Sequence, residues 1–523
     1  MRPTTTQARP LDGLAATLGI GRDGARRGGT GFEGTGFEGT GFAGVRVTGI
    51  THDSRAVRPG DVYAALPGTR THGAEFSAQA AASGAAAILT DPAGRDRAAA
   101  TGLPVLVVAD VRARLGDAAA WVYGEPGRDL TLIGITGTSG KSTTAFLVEA
   151  GLHEAGVTTG LVGGVEIRVA DERVPSALTT PEATDLHALL AMMRERGVGA
   201  AAMEVSSHAL VQGRVGGAHY EVAVFTNLSQ DHLDYHPTMQ DYFLAKARLF
   251  TPEYARVGVV NLDDHYGREL LGIATIPMTT FSASGDPAAD WRAEDVRVGA
   301  DGSVFRVVGP GGVEADGSVR LAGGYNVANA LAAIVALVEA GIGLPDAVRG
   351  VASLEGVPGR LERIDEGQDF VALVDYSHKP GAVEAVLNAL RPVTEGDLAV
   401  VLGCGGDRDR GKRPLMGEAA ARLADMAYFT NDNPRSEDPL AILAAMVEGG
   451  LKVPQRHRAH IVVEPDRAAA IELAVGRARR GDVLVVAGKG HEQGQYAAGE
   501  VQPFDDREVV REALRRAALR EEK

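Results

Sequence analysis

The sequence is poor in cysteine and in aromatic residues. It has one cysteine, two tryptophans and 5% aromatic residues among 523 positions. A single cysteine excludes an intramolecular disulfide framework and a zinc site made of cysteine alone, which fits a reducing compartment. That residue, Cys404, lies among glycines after a predicted strand, and its immediate stretch contains no histidine. We interpret it as a small packing residue and not as a nucleophile.

Long hydrophobic runs and a surplus of positive charge are also absent. No apolar run approaches the roughly 20 residues that span a bilayer, and the polar start Met1 to Pro10 lacks a signal-peptide core. We therefore expect no membrane insertion and a cytoplasmic location. The net charge of -15 argues against a broad nucleic-acid surface. A local cluster of arginines and backbone amides could still bind an anionic small molecule.

The sequence does contain enough apolar material for several hydrophobic cores, since 45% of its 523 residues are hydrophobic. Short apolar runs alternate with helical segments, which predicts an α/β protein with mostly parallel sheets. We expect three domains: a small N-terminal α/β domain over 1–125, a central parallel-sheet domain over 126–356 and a C-terminal Rossmann-like α/β domain over 357–523. A tandem Gly-Thr-Gly-Phe-Glu repeat predicts a flexible glycine-rich insertion over about 28–44.

A glycine-rich turn follows the predicted strand over 130–136 and begins a helix. We call this turn the phosphate loop, and it consists of Gly137, Thr138, Ser139, Gly140, Lys141, Ser142 and Thr143. Backbone amides and a helix N-terminus converge there, which is typical of a triphosphate cradle. Lys141 would reach the β- and γ-phosphates, and the Ser142 hydroxyl would bind magnesium. The sequence matches a shorter variant of the P-loop motif, because Ile135 stands where the general motif has glycine. The alternative is an ordinary strand-to-helix turn that binds no phosphate.

With the phosphate loop in place, further stretches resemble the Mur ligases, which form one amide bond for each ATP hydrolysed. The resemblance covers nearly the whole chain after the repeat. The stretches that carry it are Met203–His208, Thr226–Leu228, Asp231–Asp234, Lys246, Asn326–Asn329, Pro358–Arg360, Asp375–His378, Gly403–Arg408, Asp432–Arg435 and Gly488–Glu492. It implies a UDP-substrate domain, a central ATPase domain and a C-terminal domain for the incoming amino acid. Within the family, Asp432–Arg435 points to the member that adds diaminopimelate.

The resemblance also implies a reaction. The γ-phosphoryl group of ATP would pass to the D-glutamate side-chain carboxylate of UDP-N-acetylmuramoyl-L-alanyl-D-glutamate, because a free carboxylate is a poor acyl donor. An amine of diaminopimelate would then attack the acyl phosphate, and phosphate would leave. Two anions must meet in line, so we expect magnesium as well as ATP. Such a ligase belongs to peptidoglycan synthesis.

The resemblance assigns Lys141, Glu204, His232 and Lys246 to the catalytic centre. Glu204 ends a buried strand, where a lone carboxylate is costly, so we interpret it as a magnesium ligand with Ser142; a carboxylate bonded to a neighbouring loop is the alternative. His232 would bind a second magnesium by resemblance, although the residues alone favour a loop histidine bonded to a carboxylate. The position of Lys246 in a predicted helix suggests a solvated surface lysine. The resemblance implies instead that its amine is carbamylated and ligates the metal.

Further residues are assigned to binding by the resemblance. Besides the phosphate loop, the nucleotide would contact Asn326, Arg360, Asp375 and His378 across a cleft that closes on substrate. The UDP-muramoyl substrate would contact Ser54, Thr69, Arg70, Thr71, Thr179, Thr180, Ser206, Gln212 and Arg214. Arg214 has the clearest physical reason, because a guanidinium pairs bidentately with phosphate or carboxylate. The serines and threonines could equally be caps and turn residues.

The predicted diaminopimelate pocket follows three strands of the last domain. Its residues are Arg408, Asp432, Asn433, Pro434, Arg435, Gly488 and Glu492. A pocket that distinguishes diaminopimelate from lysine needs a cation for the extra carboxylate and an anion for the distal ammonium, and Arg435 and Glu492 fit these roles. The alternative for Asp432–Arg435 is a proline turn with a surface arginine.

Other functions remain open from the sequence. A lysine-adding muramoyl ligase or a folylpolyglutamate synthase-like ligase would share the phosphate loop and the modified lysine. A P-loop ATPase that ligates nothing is the alternative from a different class. The expected partners are the UDP-muramoyl dipeptide, diaminopimelate and ATP, with no nucleic acid, and we expect a monomer.

Overall fold

The structure is a computed structural model that describes residues 2–20, 42–174, 176, 178–299 and 302–521. The predicted insertion over 28–44 lies outside the described residues except for its last part, from Phe42 to Gly44. The chain forms two compact units. The first unit consists of Met1–Arg292, Gly309–Gly311 and Leu331–Gly350, and the second of Ala293–Val308, Gly312–Ala330 and Val351–Lys523.

The first unit begins with a small α/β region. Its elements are β1 (Arg9–Pro10), α1 (Leu11–Thr17), β2 (Arg46–Val47), β3 (Gly49–Thr51), β4 (Asp61–Ala64), α2 (Ser77–Ala82), β5 (Ala87–Thr90), α3 (Arg95–Ala99), β6 (Val105–Val107) and α4 (Val111–Val122). Strands β3, β4, β5 and β6 are parallel and lie side by side in chain order. Their residues are buried on both faces, which explains why they appear in the sequence as short continuous apolar runs.

The rest of the first unit is built on a larger sheet. Its elements are β7 (Thr131–Thr136), α5 (Lys141–Glu154), β8 (Thr159–Val162), β9 (Ile167–Val169), β10 (Glu172–Val174), α6 (Ala183–Glu195), β11 (Ala200–Glu204), α7 (Ser207–Val211), β12 (Tyr220–Phe225), α8 (Met239–Ala247), β13 (Ala255–Asn261), α9 (His265–Leu271) and β14 (Met278–Ser282). The strand order is β10-β9-β8-β11-β7-β12-β13-β14. Because β11, β7 and β12 are parallel neighbours, the segments that follow them meet at one edge.

The remaining elements begin with an antiparallel region and end in a second parallel sheet. They are β15 (Trp291–Gly299), β16 (Gly302–Val308), β17 (Glu314–Val319), α10 (Tyr325–Glu339), α11 (Leu344–Ser353), β18 (Glu362–Ile364), β19 (Val371–Asp375), α12 (Pro380–Leu390), β20 (Leu398–Leu402), α13 (Lys412–Leu423), β21 (Met426–Phe429), α14 (Pro439–Leu451), β22 (His460–Val463), α15 (Arg467–Arg477), β23 (Val483–Ala487), β24 (Gly494–Ala497), β25 (Glu500–Pro503) and α16 (Asp506–Glu521). In this second, mostly parallel sheet the strand order is β18-β19-β23-β20-β21-β22, and β18 is antiparallel to β19.

The predicted α/β fold with mostly parallel sheets is confirmed. The first two sheet regions share one compact unit because α6 presents Ala183, Ala188 and Ala191 to the hydrophobic core of the N-terminal region. The predicted domain boundaries near 125 and 356 stay predictions. Within the described ranges, no helix is both long enough and apolar enough to cross a bilayer.

Candidate active site

The phosphate loop has the predicted place between β7 and α5. Strand β7 ends at Thr136, and α5 begins at Lys141. Gly137 has φ 149° and Gly140 has φ 86°, both in the region that favours glycine. A Cβ atom at Gly137 would also overlap the Thr226 hydroxyl. The loop therefore requires glycine at this position for both conformation and space.

The segment after β12 holds the phosphate loop in place. The amide of Thr138 donates to Asn227 O (2.9 Å), and the amide of Ser139 donates to Asn227 Oδ1 (3.0 Å). The Thr226 hydroxyl donates to Ser139 O at 2.7 Å. These bonds connect the backbone of the phosphate loop to the segment after the neighbouring parallel strand. They give Thr226 and Asn227 a structural role at the loop.

Two lysines converge on one carbonyl of the phosphate loop. Lys141 Nζ donates to Gly137 O (3.0 Å) and to Thr138 O (2.9 Å), and Lys246 Nζ donates to Gly137 O at 2.8 Å. Lys246 is only 1% exposed and lies over the Tyr242 ring. The surface lysine that spacing alone suggested is therefore wrong. Two ammonium groups beside a glycine-rich loop create the positive field that a polyphosphate needs.

Glu204 lies on the strand next to the phosphate loop, with 2% of the residue exposed. It is opposite Ile135 in the β11–β7 pairing. Its Oε1 accepts the Gly164 amide at 2.9 Å, so one carboxylate oxygen bonds to a neighbouring loop, as the alternative reading had it. The hydroxyl of Ser142 and the carboxylate of Glu204 are hard oxygen donors, and their chemistry fits magnesium.

Aromatic and imidazole rings surround His232. This residue has φ 52°, and its Nε2 lies 3.2 Å from Asp231 Oδ2, which is the carboxylate contact expected from the residues alone. The His208 ring lies edge-on to it at 4.7 Å. Sequence reasoning did not single out His208 or His236, although His208 belongs to the Met203–His208 stretch. Burial lowers the pKa of both His208 and His236, so both favour the neutral form.

The side chains near the phosphate loop show whether a second magnesium ion could bind there. Among the described residues, no three His, Cys, Asp or Glu side chains form a group that could hold an ion. An unmodified Lys246 ammonium would repel a cation, whereas a carbamylated amine would supply an oxygen ligand. The residues near the phosphate loop therefore fit a second magnesium only if Lys246 is modified.

The predicted contacts of the muramoyl peptide form a connected group. Ser206 N donates to the Thr180 hydroxyl (3.1 Å), and that hydroxyl donates to Glu204 O at 2.9 Å. Arg214 Nη1 donates to Thr180 O at 3.1 Å, and its Nε lies 2.9 Å from Glu182 Oε1. Sequence reasoning missed Glu182, which already opposes the charge of Arg214.

The remaining six predicted contacts of the UDP-muramoyl substrate also lie in the first unit. Gln212 Oε1 accepts from Arg214 Nε at 3.0 Å, and Thr179 lies beside Gly164. Ser54 is buried and donates to Gln79 Oε1 at 3.3 Å. The predicted uridine contacts Thr69, Arg70 and Thr71 are exposed in the segment after β4, which is the parallel neighbour of the strand before Ser54.

In the second unit, predicted nucleotide residues gather around Tyr376. Asp375 ends β19 and accepts the amides of Leu361 and Ser377, both at 2.8 Å. The Arg360 guanidinium lies 4.6 Å from the centre of the Tyr376 ring. Burial lowers the pKa of His378 to about 4, so this imidazole is neutral at pH 7. Asn326, at the start of α10, is buried and donates to Ala322 O at 2.7 Å.

The predicted diaminopimelate residues come together at the carboxyl ends of β20, β21 and β23. Asn433 Nδ2 donates to Glu492 Oε2 at 3.0 Å, and Tyr376 OH lies 3.5 Å from Glu492 Oε1. Arg435 is half-buried and donates from Nη1 to Gly406 O at 2.8 Å, so the surface-arginine alternative is wrong. Arg408 is exposed and donates to Asp407 O at 3.2 Å.

Other residues of the predicted diaminopimelate pocket are buried or shape its backbone. Asp432 and Pro434 are buried, and Gly488 has φ 121°, with its Cβ position 3.5 Å from Asp432 Oδ2. Sequence reasoning missed Lys489, whose ammonium lies among these side chains; its only signal was its place between Gly488 and Glu492. Cys404 is buried against Met416, and burial raises its pKa to about 12, which confirms a packing role.

Comparisons with known proteins agree with this geometry. The chain matches the catalytic domain of the Mur ligase family over residues 46–123, the Mur ligase middle domain over 135–337 and the Mur ligase glutamate ligase domain over 359–490. A UDP-N-acetylmuramoyl-L-alanyl-D-glutamate--2,6-diaminopimelate ligase of Streptomyces coelicolor is 60% identical over 516 residues, which is 98% of each chain. The ligase of the same name from Corynebacterium glutamicum is 50% identical over 90% of this chain and 92% of its own.

Solved structures show the same likeness. A structure of a UDP-N-acetylmuramoyl-L-alanyl-D-glutamate--2,6-diaminopimelate ligase is 34% identical, with a TM-score of 0.67 over 90% of this chain and 96% of that chain. A folylpolyglutamate synthase of Mycobacterium tuberculosis complexed with ADP and AMPPCP is 21% identical, with a TM-score of 0.57 over 72% of this chain and 92% of its own. The second likeness shows the fold alone.

Proposed function

Because this chain belongs to the Mur ligase family, we propose that it is the ATP-dependent ligase that adds diaminopimelate to UDP-N-acetylmuramoyl-L-alanyl-D-glutamate in peptidoglycan synthesis. The new amide bond forms at the D-glutamate side-chain carboxylate, and ADP and phosphate are released. The observation that carries this proposal is the anion–cation arrangement at Glu492 and Arg435, in a chain whose relatives over nearly its full length bear that name.

The pocket suits an amino acid with two charged groups at its far end. Glu492 offers a carboxylate to the distal ammonium of diaminopimelate. Among the described residues, the hydrogen bonds of the Arg435 guanidinium are made by Nη1, to Gly406 O and Asn433 O. Its remaining N–H donors can therefore pair the distal carboxylate, and exposed Arg408 can add a second cation. Lysine lacks that carboxylate and would leave Arg435 uncompensated.

The phosphate loop suits the activation step. The γ-phosphate of ATP and the glutamate carboxylate are both anions, and Lys141 brings positive charge to the place where they meet. We infer that Ser142 and Glu204 hold magnesium, with His232 and carbamylated Lys246 as further ligands. Magnesium would neutralise the charge that builds up on the phosphoryl oxygens. Glu204 is already oriented for this by the Gly164 amide.

The other assigned residues follow from the same proposal. Thr179, Thr180, Ser206, Gln212 and Arg214 bind the muramoyl peptide, with Glu182 orienting the Arg214 guanidinium. The uridine end contacts Ser54 and the segment Thr69–Thr71, while Asn326, Arg360, Asp375 and His378 contribute to nucleotide binding. We further propose a monomer that works in the cytoplasm, where UDP-linked precursors and ATP are present.

Phosphate release tests this function directly. The purified protein is given ATP, magnesium and UDP-N-acetylmuramoyl-L-alanyl-D-glutamate with meso-diaminopimelate, LL-diaminopimelate, L-lysine or no amino acid. We expect one diaminopimelate isomer to stimulate phosphate release at least tenfold over lysine, with a product of matching mass. R435K retains the charge but not the planar donor geometry, and it should lose most of this preference. Stimulation by lysine alone, or release without any amine, would contradict the proposal.

A further inference from the structure

Lys489 is a fully buried lysine that no part of the proposed function uses. It follows Gly488 after β23, and its side chain is 0% exposed. Its Nζ lies 2.9 Å from Asn433 Oδ1, 3.4 Å from Asp432 Oδ1 and 3.5 Å from Glu492 Oε2. An ammonium has three N–H donors, so these three acceptors can take all of them.

All three acceptors belong to the predicted diaminopimelate pocket. Burying an ammonium is costly unless it is paired, and this one is paired by side chains that the proposed amino-acid substrate would meet. The Glu492 side chain is 34% exposed, while Lys489 is not exposed at all. Lys489 therefore contacts Glu492 Oε2 from the buried side, while the Glu492 side chain as a whole remains accessible to a substrate.

Asn433 links Lys489 to Glu492 through its side-chain amide. Its Oδ1 accepts from Lys489 Nζ and from the Tyr496 amide at 3.0 Å, which leaves its Nδ2 group to donate to Glu492 Oε2. The carboxylate oxygen Oε2 is thus fixed by two donors, one of which is itself oriented by Lys489. Removing the ammonium would take away one of the two donors of Asn433 Oδ1 and one of the two donors of Glu492 Oε2.

The charge of Lys489 also affects which amino acid the pocket prefers. Asp432 and Glu492 bring two negative charges, and Lys489 compensates one of them from the buried side. The distal end of diaminopimelate carries one positive and one negative charge, whereas that of lysine carries only a positive charge. Without Lys489 the pocket would be more negative by one unit, which repels the distal carboxylate and favours lysine.

We propose that Lys489 is a positioning residue that sets the selectivity of this ligase for diaminopimelate over lysine, because it orients Asn433 and Glu492 and compensates negative charge of Asp432 and Glu492. The inference rests on the proposed function and extends it to a residue that touches no substrate. It predicts a change in the ratio between two substrates, which a merely structural role would not produce.

The test compares kcat/KM for diaminopimelate and for lysine in the full-length protein. In K489M we expect the ratio to fall at least tenfold, with the KM for ATP changed less than twofold. K412M is the control, because Lys412 is a partly buried lysine of the same unit, and it donates to His378 O at 2.9 Å. K412M should leave the ratio within twofold of the wild type, whatever its effect on turnover. An unchanged ratio in folded K489M would overturn the inference.

A second comparison tests whether Lys489 acts through Glu492. In the E492Q background, adding K489M should change the ratio less than twofold, because the group that Lys489 orients is already neutral. This pair loses one charge of each sign, so the inference stays falsifiable if K489M alone does not fold: a tenfold difference between E492Q and E492Q/K489M would contradict it. A tenfold effect in both backgrounds would overturn the inference. Wild-type protein without diaminopimelate-dependent turnover would instead refute the proposed function.

Discussion

Gly137 shows how one residue decides whether the phosphate loop can form. Alanine at this position would have to adopt φ 149° and would overlap the Thr226 hydroxyl. Backbone strain of this kind costs about 1–3 kcal/mol, and about 1.4 kcal/mol corresponds to a tenfold change in affinity. We expect G137A to weaken ATP binding by at least tenfold, as measured by calorimetric titration.

The double variant G137A/T226A separates the two causes. Removing the Thr226 hydroxyl relieves the overlap but not the backbone strain, so it should restore part of the affinity. The single variant T226A serves as the control for loss of the Thr226–Ser139 hydrogen bond. Wild-type affinity in G137A would show that the loop has another conformation when ATP binds.

His187 makes the stability of the first unit depend on pH. It is fully buried, its Nε2 bonds to Gly216 O at 2.8 Å, and burial lowers its pKa to about 4. The unfolded chain, with a pKa near 6.5, takes up the proton first, so stability is complete above about pH 6.5 and is lost as the pH falls towards 4. Between pH 7 and pH 5 this histidine should cost the first unit about 2 kcal/mol of unfolding free energy.

Urea unfolding at several pH values measures this effect. Tryptophan fluorescence is a suitable signal, because Trp121 and Trp291 both lie in the first unit and are the two tryptophans of the chain. H187Q keeps an N–H donor but cannot titrate, so its unfolding free energy should fall by about 2 kcal/mol less over the same range. Equal pH dependence in H187Q and the wild type would assign the acid sensitivity to other groups.

At the scale of elements, the hairpin of β24 and β25 supports the proposed diaminopimelate pocket. Arg435 N donates to Tyr496 O at 2.9 Å, and Ala498 N donates to Arg435 O at 2.7 Å. Ala498 occupies the turn of the hairpin with φ 51°. A498P removes the donor and cannot adopt this φ, so it breaks the hydrogen bond to Arg435 O and destabilises the hairpin. We expect the KM for diaminopimelate to rise at least tenfold, with the KM for ATP within twofold of the wild type.

A498G is the matched control for the hairpin. Glycine keeps the N–H donor and accepts a positive φ without strain, so this variant should behave like the wild type or be slightly more stable. If A498P changed the two KM values equally, the hairpin would act on the whole unit and not on the pocket.

The elements were more predictable from the sequence than the contacts between them. The phosphate loop could be located because strand, turn and helix are consecutive, and glycine has a local conformational reason. The burial of Lys246 could not, because it depends on a carbonyl more than a hundred positions away, at Gly137. For the same reason spacing gave no sign of Glu182 beside Arg214, or of Lys489 as the centre of the pocket. Such pairings join residues of separate helices, strands and loops, so they arise only when the chain folds.

At the scale of the whole molecule, each compact unit has hydrophobic cores of its own. The second unit also contains a fully buried ion pair between Arg467 and Asp506, whose side chains are both 0% exposed. Two hydrogen bonds join them, from Nε to Oδ1 at 2.7 Å and from Nη2 to Oδ2 at 2.6 Å. Because the first unit has its own cores, a defect at this pair should lower the stability of the second unit alone.

D506N tests this independence, because it leaves the Arg467 guanidinium buried without its anion at a cost of roughly 3–5 kcal/mol. We expect far-UV circular dichroism to show an early transition at lower urea concentration, while the tryptophan signal from the first unit keeps its midpoint. D505N is the matched control: Asp505 pairs with Arg507 at 2.6 Å in a partly exposed site, so its loss should cost about 1 kcal/mol or less. If the tryptophan midpoint fell together with the circular dichroism signal in D506N, the two units would unfold as one cooperative body.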